Sequence, residues 1–126
     1  MNAEKGTVLV VDDEALVLDM EAIMLQRIGF NTLKASNSAE ACQVFNDEKE
    51  HIDLVVLDVI MPGENGTVTY KRLKRMNPDI RVLISTGYGT DREVEEIVKD
   101  SQNGLIQKPF KFKEFTSKIE AILSMN

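Results

Sequence analysis

Along this chain, short apolar runs rich in β-branched residues alternate with longer stretches of helical spacing, and the alternation occurs five times. The pattern predicts parallel strands joined by crossover helices. The first strand reads TVLVV, Thr7 to Val11. A helix follows from about Glu14 to Ile28, with Leu16, Met20, Ile23 and Met24 on one face and Gly29 as its stop. The second strand, NTLKAS, alternates Thr32 and Lys34 with Leu33 and Ala35, which marks an edge strand with one wet side. Asn37 or Ser38 caps a short second helix bearing Ala41, Val44 and Phe45, and the polar segment Asn46 to His51 leads into a continuous apolar strand, DLVVL, expected at the centre of the sheet.

After a Pro/Gly loop from Met61 to Gly66, a third helix runs to about Met76 and ends before Pro78, because proline disfavours helical geometry in the residue that precedes it. The fourth strand is RVLIST. A Gly87-Tyr88-Gly89 turn then precedes a helix with Val94, Ile97, Val98 and Ser101 on one side and Asp91, Glu93, Glu95, Glu96 and Asp100 on the other. The fifth strand is the short LIQ before Lys108-Pro109, and the last helix aligns Phe112, Phe115, Ile119 and Ile122. The expected fold class is α/β, a single (βα)5 unit with a parallel five-stranded sheet. It occupies one domain over 1–126 with a core of about 7–123.

Composition supports a globular core: 43% of the 126 residues are hydrophobic and 29% charged, while glycine and proline are sparse. A single cysteine, Cys42, cannot form an internal disulfide. The formal net charge of −6 opposes non-specific attraction to phosphate backbones and anionic membranes, so direct nucleic-acid binding and membrane insertion are not expected. No apolar run reaches the length of a membrane span and no signal peptide is legible, which leads to the expectation of a reduced, cytoplasmic setting.

In an open parallel sheet the C-terminal ends of all strands lie along one edge, where ligands bind. Strand one ends in Asp12, Asp13 and Glu14, strand three in Asp58, strand four in Ser85 and Thr86, and strand five in Lys108. Carboxylates about 4 Å apart repel by roughly 4 kcal/mol at an effective dielectric of about 20, so the set calls for positive charge beyond Lys108. An all-oxygen site suits a hard divalent cation, Mg²⁺ or Mn²⁺, with room for a phosphate oxygen. A carboxylate beside a metal and a lysine is suited to act as a nucleophile toward phosphorus. Taken singly, the acids could merely favour a helix N-terminus, Thr86 could be an ordinary strand-end hydroxyl, and Lys108 a solvated lysine.

The segments VLVVDDE, VVLDVIMPG, VLISTGYG and GLIQKPF, in this order and at strand ends, resemble the response-regulator receiver domain of two-component signalling, from about Thr7 to Leu123. The resemblance implies a doubly wound, flavodoxin-like sheet of strand order 2-1-3-4-5. It also implies Asp58 as phosphoacceptor, Asp13 as a direct Mg²⁺ ligand, Asp12 acting through a metal-bound water, and Ile60 contributing its backbone carbonyl to the metal. Thr86 becomes the hydroxyl that turns toward the phosphoryl group, Lys108 its salt-bridge partner, and Lys108-Pro109 a cis peptide. The partner is then a histidine kinase or a histidine phosphotransfer protein. The domain phosphorylates and dephosphorylates itself rather than acting as a conventional enzyme, and a phosphorylation-dependent dimer is compatible with the resemblance.

Three positions depart from the family pattern. Leu105 stands where many receivers carry Phe or Tyr, which puts an aromatic rotamer switch in question, while Tyr88 and Ile60 sit where they would control water access. Rival classes lack their signatures: an aspartyl-phosphate hydrolase separates its two aspartates by one residue, a nucleotide switch needs a glycine-rich Lys-Ser/Thr loop, and a flavin site needs a Ser/Thr-rich loop. A receiver-like binding module independent of phosphorylation usually loses an acid or the lysine, and all are retained here. The IQKPF and TGYG segments resemble receivers of hybrid kinases, so the domain is expected either to stand alone or to come from a longer regulator or hybrid kinase.

Overall fold

A computed structural model describes residues 5–61, 64–87 and 92–124. The elements run β1 (Thr7–Val11), α1 (Ala15–Arg27), β2 (Asn31–Ala35), α2 (Ser38–Glu48), β3 (Ile52–Asp58), β4 (Ile60–Met61), β5 (Glu64–Asn65), α3 (Gly66–Met76), β6 (Arg81–Thr86), α4 (Arg92–Val98), β7 (Gly104–Gln107) and α5 (Phe112–Leu123). Five parallel strands form the sheet in the order β2-β1-β3-β6-β7, which is 2-1-3-4-5 when its strands are counted alone. This is the flavodoxin-like order, with β2 at an edge and β3 in the centre, as the pattern of wet and dry positions predicts.

Because strand side chains alternate, the sheet has two apolar faces. Val8, Val10, Leu54, Val56 and Leu83 pack with Leu18 and Leu25 of α1 and Phe115, Ile119 and Ile122 of α5. Leu9, Val11, Val55, Leu57, Val82 and Ile84 pack with Phe45 of α2, Leu73 of α3, and Val94 and Ile97 of α4. Asn37 caps α2, its side-chain oxygen accepting from the Glu40 N–H at 2.8 Å. The α1–β2 turn depends on Gly29, whose φ of +101° an L side chain rarely adopts.

The structure corrects four expectations. First, the α1 stripe of Leu16, Met20 and Ile23 faces outward: Leu16 is 84% exposed, and the buried stripe is Leu18, Glu21, Ala22 and Leu25. Two stripes compete on this helix, and the sheet takes the one whose side chains meet Val8 and Val10. Second, Phe112 is also exposed, since it opens α5 and the buried stripe of that helix starts at Phe115. Third, the segment expected as a plain loop contains an antiparallel ribbon, Ile60 opposite Asn65 and Met61 opposite Glu64. Fourth, Asp100 and Ser101 lie beyond the end of α4, while Asp91 falls outside the described residues.

Candidate functional site

Sheet alternation explains why distant residues converge. Asp12 continues the parity of Val8 and Val10, Asp58 that of Leu54 and Val56, and Lys108 that of Ile106, all of which face the α1–α5 layer. Asp12 and Asp58 are nearly inaccessible, at 1% and 4% exposure. Asp13 is exposed at the mouth. Carboxylate oxygens of Asp12, Asp13 and Asp58 lie within 4.8 Å of one another. The Lys108 ammonium donates to Asp12 Oδ2 at 2.6 Å and to Asp58 Oδ2 at 3.4 Å. The other oxygen of Asp12 accepts the Glu14 N–H at 2.9 Å, so this carboxylate also anchors the turn into α1.

Burial lowers the affinity of Lys108 for its proton, but the hydrogen bond it donates to Asp12 and the charges of Asp58, Asp12 and Glu21 outweigh it, and the ammonium titrates above the ordinary lysine range. It is therefore charged at every physiological pH. Three carboxylates and one ammonium leave two negative charges at the pocket. Two carboxylates at this spacing repel by about 3.5 kcal/mol at an effective dielectric near 20, a cost that a divalent cation would remove. The donors are hard oxygens, one of them exposed at the mouth, and so they fit Mg²⁺ or Mn²⁺.

Thr86 ends β6 and is buried; its carbonyl accepts the Lys108 N–H at 2.7 Å, so the two residues are tied through the backbone. The neighbouring pair in the sheet is Asp58 opposite Ser85. The Lys108-Pro109 bond is cis. Ile60 pairs with Asn65 in the ribbon directly after Asp58, although its side chain, like Tyr88, lies outside the described residues. Leu105 is partly buried against the α2–α3–α4 core.

One constraint stood in the sequence only as the end of a Pro/Gly loop, at a residue that the structure makes the first of α3. Gly66 donates its N–H to the Val59 carbonyl at 3.0 Å, and a Cβ there would meet Val59 Cα and stand 2.8 Å from the Asp58 carbonyl. Backbone atoms cannot swing aside as a side chain can. Gly66→Ala is expected to displace the segment after Asp58 and destabilise the fold by about 1–3 kcal/mol, measurable as a lower urea midpoint.

Sequence reasoning also missed Glu21, which is buried on α1 and electrostatically coupled to Asp12, Lys108 and Asp58. The signal was present: Glu21 interrupts the Leu18, Ala22, Leu25 stripe at helical spacing.

The family model of the response regulator receiver domain matches residues 8–120. The phosphate regulon transcriptional regulatory protein PhoB of Pseudomonas aeruginosa is 34% identical over 93% of this chain, which spans 51% of that protein. The sensor kinase CckA of Brucella abortus is 30% identical over 94% of the chain, which spans only 12% of it. The crystal structure of a response regulator receiver domain protein from Clostridium thermocellum superposes with a TM-score of 0.83 at 27% identity, covering 94% of each chain. With the sheet order, the acid-lined strand ends and the family match in agreement, the chain belongs to the response regulator receiver domains of two-component systems.

Proposed function

We propose that this domain accepts a phosphoryl group on Asp58 from a phosphohistidine and returns it to water. The observation that carries the reading is the convergence of Asp12, Asp13, Asp58 and Lys108, with two net negative charges, at the C-terminal edge of the sheet. Asp58 Oδ forms a bond to phosphorus as the phosphorus–nitrogen bond of the donor breaks, the imidazole keeping the electron pair. Asp13 would hold Mg²⁺ directly, Asp12 through water, and Ile60 through its carbonyl. Once bound, the cation stabilises charge on the equatorial phosphoryl oxygens. Lys108, held in place by Asp12, is within reach of the same oxygens, and the Thr86 hydroxyl turns toward them. Because Thr86 is tied to Lys108 and immediately precedes the segment leading to α4, its movement would be felt along the α4 surface. That helix is tethered by Glu93, which accepts from Thr67 Oγ1 at 2.8 Å.

The donor is read as a histidine kinase or a histidine phosphotransfer protein. Leu16, Met20, Ile23 and Phe112 form an exposed apolar patch on α1 and the start of α5. Met20 also lines the recess with Glu14, Lys108 and Pro109 at the pocket mouth. Contiguous exposed apolar surface of this kind marks protein association, and here it stands beside the reacting aspartate. The same reading extends to either a stand-alone regulator or one unit of a longer signalling protein.

The decisive experiment is incubation with acetyl phosphate, with and without Mg²⁺. One phosphoryl group per chain, mapped to Asp58 and lost on chelation of the metal, is the expected result; labelling elsewhere or independent of metal would refute the assignment. For Leu16→Glu, transfer from a phosphohistidine protein is expected to slow about tenfold or more, since a buried interface charge costs over 1.4 kcal/mol. Its labelling by acetyl phosphate should remain at the parent rate.

A further inference from the structure

Helix α1 carries a carboxyl where its packing favours hydrocarbon. Glu21 shares the buried stripe with Leu18, Ala22 and Leu25, is 1% exposed, and neither of its oxygens has a hydrogen-bond partner among the described residues. An unpaired polar group in a core is destabilising, whereas leucine or methionine would fill the same space without cost. The charged groups acting on Glu21 come from three other elements: Asp12 at the end of β1, Lys108 after β7 and Asp58 at the end of β3. Lys108 feels Glu21 in return. The α1 stripe that holds Glu21 packs, through Leu18 and Leu25, on the sheet face carrying the parity of Asp12 and Asp58.

We propose that Glu21 is a positioning residue of the acidic pocket, a fourth carboxyl that touches neither cation nor phosphoryl group but sets the field in which Lys108 and a divalent cation are held. The inference rests on reading the pocket as a phosphoacceptor site. Burial, then Asp12, and more weakly Asp58 push the Glu21 carboxyl up to about 8 against the opposing pull of Lys108. A cation in the pocket favours the ionised carboxylate, and linkage makes the effect reciprocal. The charge of Glu21 therefore strengthens cation binding only where the group has lost its proton.

The test is calorimetric titration of the intact chain with MgCl₂ at about pH 6.5 and about pH 9, for the parent, Glu21→Gln and Glu21→Leu. The parent is expected to bind Mg²⁺ about tenfold more tightly at the higher pH, a modest share of the attraction between a divalent ion and a nearby charge. Both variants should bind equally at the two pH values and match the parent at the lower one. Glu21→Leu supplies the neutral comparison should the buried amide of Glu21→Gln fail to fold. A parent affinity that changes less than about twofold, or a variant that keeps the tenfold rise, overturns the role of Glu21 alone. Absence of Mg²⁺ binding at any pH overturns the phosphoacceptor reading with it.

Discussion

An Asp58→Ala protein is expected to take up no phosphoryl group from acetyl phosphate or from a phosphohistidine donor, and to resist urea better than its parent. The first effect follows from loss of the nucleophile, for which no other carboxylate substitutes: Asp12 is engaged by Lys108 at 2.6 Å and by the Glu14 N–H, and Asp13 stands at the exposed mouth. The second follows from charge. The buried Asp58 carboxylate lies within 4.8 Å of two others, and Lys108 is 0.8 Å nearer to Asp12 than to Asp58, the difference of 3.4 and 2.6 Å. Removing Asp58 relieves repulsion and leaves the tighter ion pair intact, so a gain of about 1–2 kcal/mol is expected without metal. Added Mg²⁺ should narrow the gap, because a ligand that binds only the folded state stabilises it by mass action. Persistent labelling of Asp58→Ala, or a lower urea midpoint than the parent, would contradict this account of the pocket.

Glu21→Leu is expected to stabilise the fold, by an amount that depends on pH. The Glu21 carboxyl rises from an ordinary value of 4.5 to about 8 on folding, chiefly through burial. A group whose folded value is raised supports the fold fully below its unfolded value and loses that support as pH climbs toward the folded one. Relative to leucine, the glutamate should therefore cost about 1–2 kcal/mol near pH 4.5, the penalty of an unpaired buried polar group. The cost should grow by about 4 kcal/mol between there and pH 8, since each pH unit between the two values is worth about 1.4 kcal/mol, and level off above it. Urea unfolding of both proteins at several pH values measures this window. A pH-independent difference would mean that Glu21 enters the core already ionised, and a less stable variant would mean that it has a partner in solution.

The retention of Glu21 and of three crowded aspartates illustrates how a site is maintained against packing and electrostatics. On the proposed reading, Asp58 and Glu21 each raise the energy of the metal-free fold and acquire their use when positive charge arrives. The expected stability gains of Asp58→Ala and Glu21→Leu are two expressions of that same arrangement.

Much of the architecture could be read from local pattern. The strands announced themselves through β-branched runs, and the central place of β3 followed from DLVVL having no polar alternation, since a strand buried on both faces needs apolar residues on both. Asn37, Gly29 and Pro78 marked helix boundaries through capping and backbone geometry that act within a few residues. The acidic cluster was legible for a related reason: parallel topology sends every strand end to one edge, so the meeting of Asp12, Asp13, Asp58 and Lys108 follows from chain direction.

The amino-acid order by itself therefore determined the fold class, the strand succession and the membership of the acidic edge, because these follow from periodicity and chain direction. Only the tertiary structure decided which of two apolar stripes on α1 meets the sheet, leaving Leu16, Met20 and Ile23 in solvent and drawing Glu21 inside. It alone decided that Lys108 sits closer to Asp12 than to Asp58, and that Gly66 must approach the Asp58–Val59 backbone. A helix turns its stripe toward whatever sheet surface it covers, and an ion pair is set by distances between separate elements. Neither quantity is encoded in the spacing of residues along one segment.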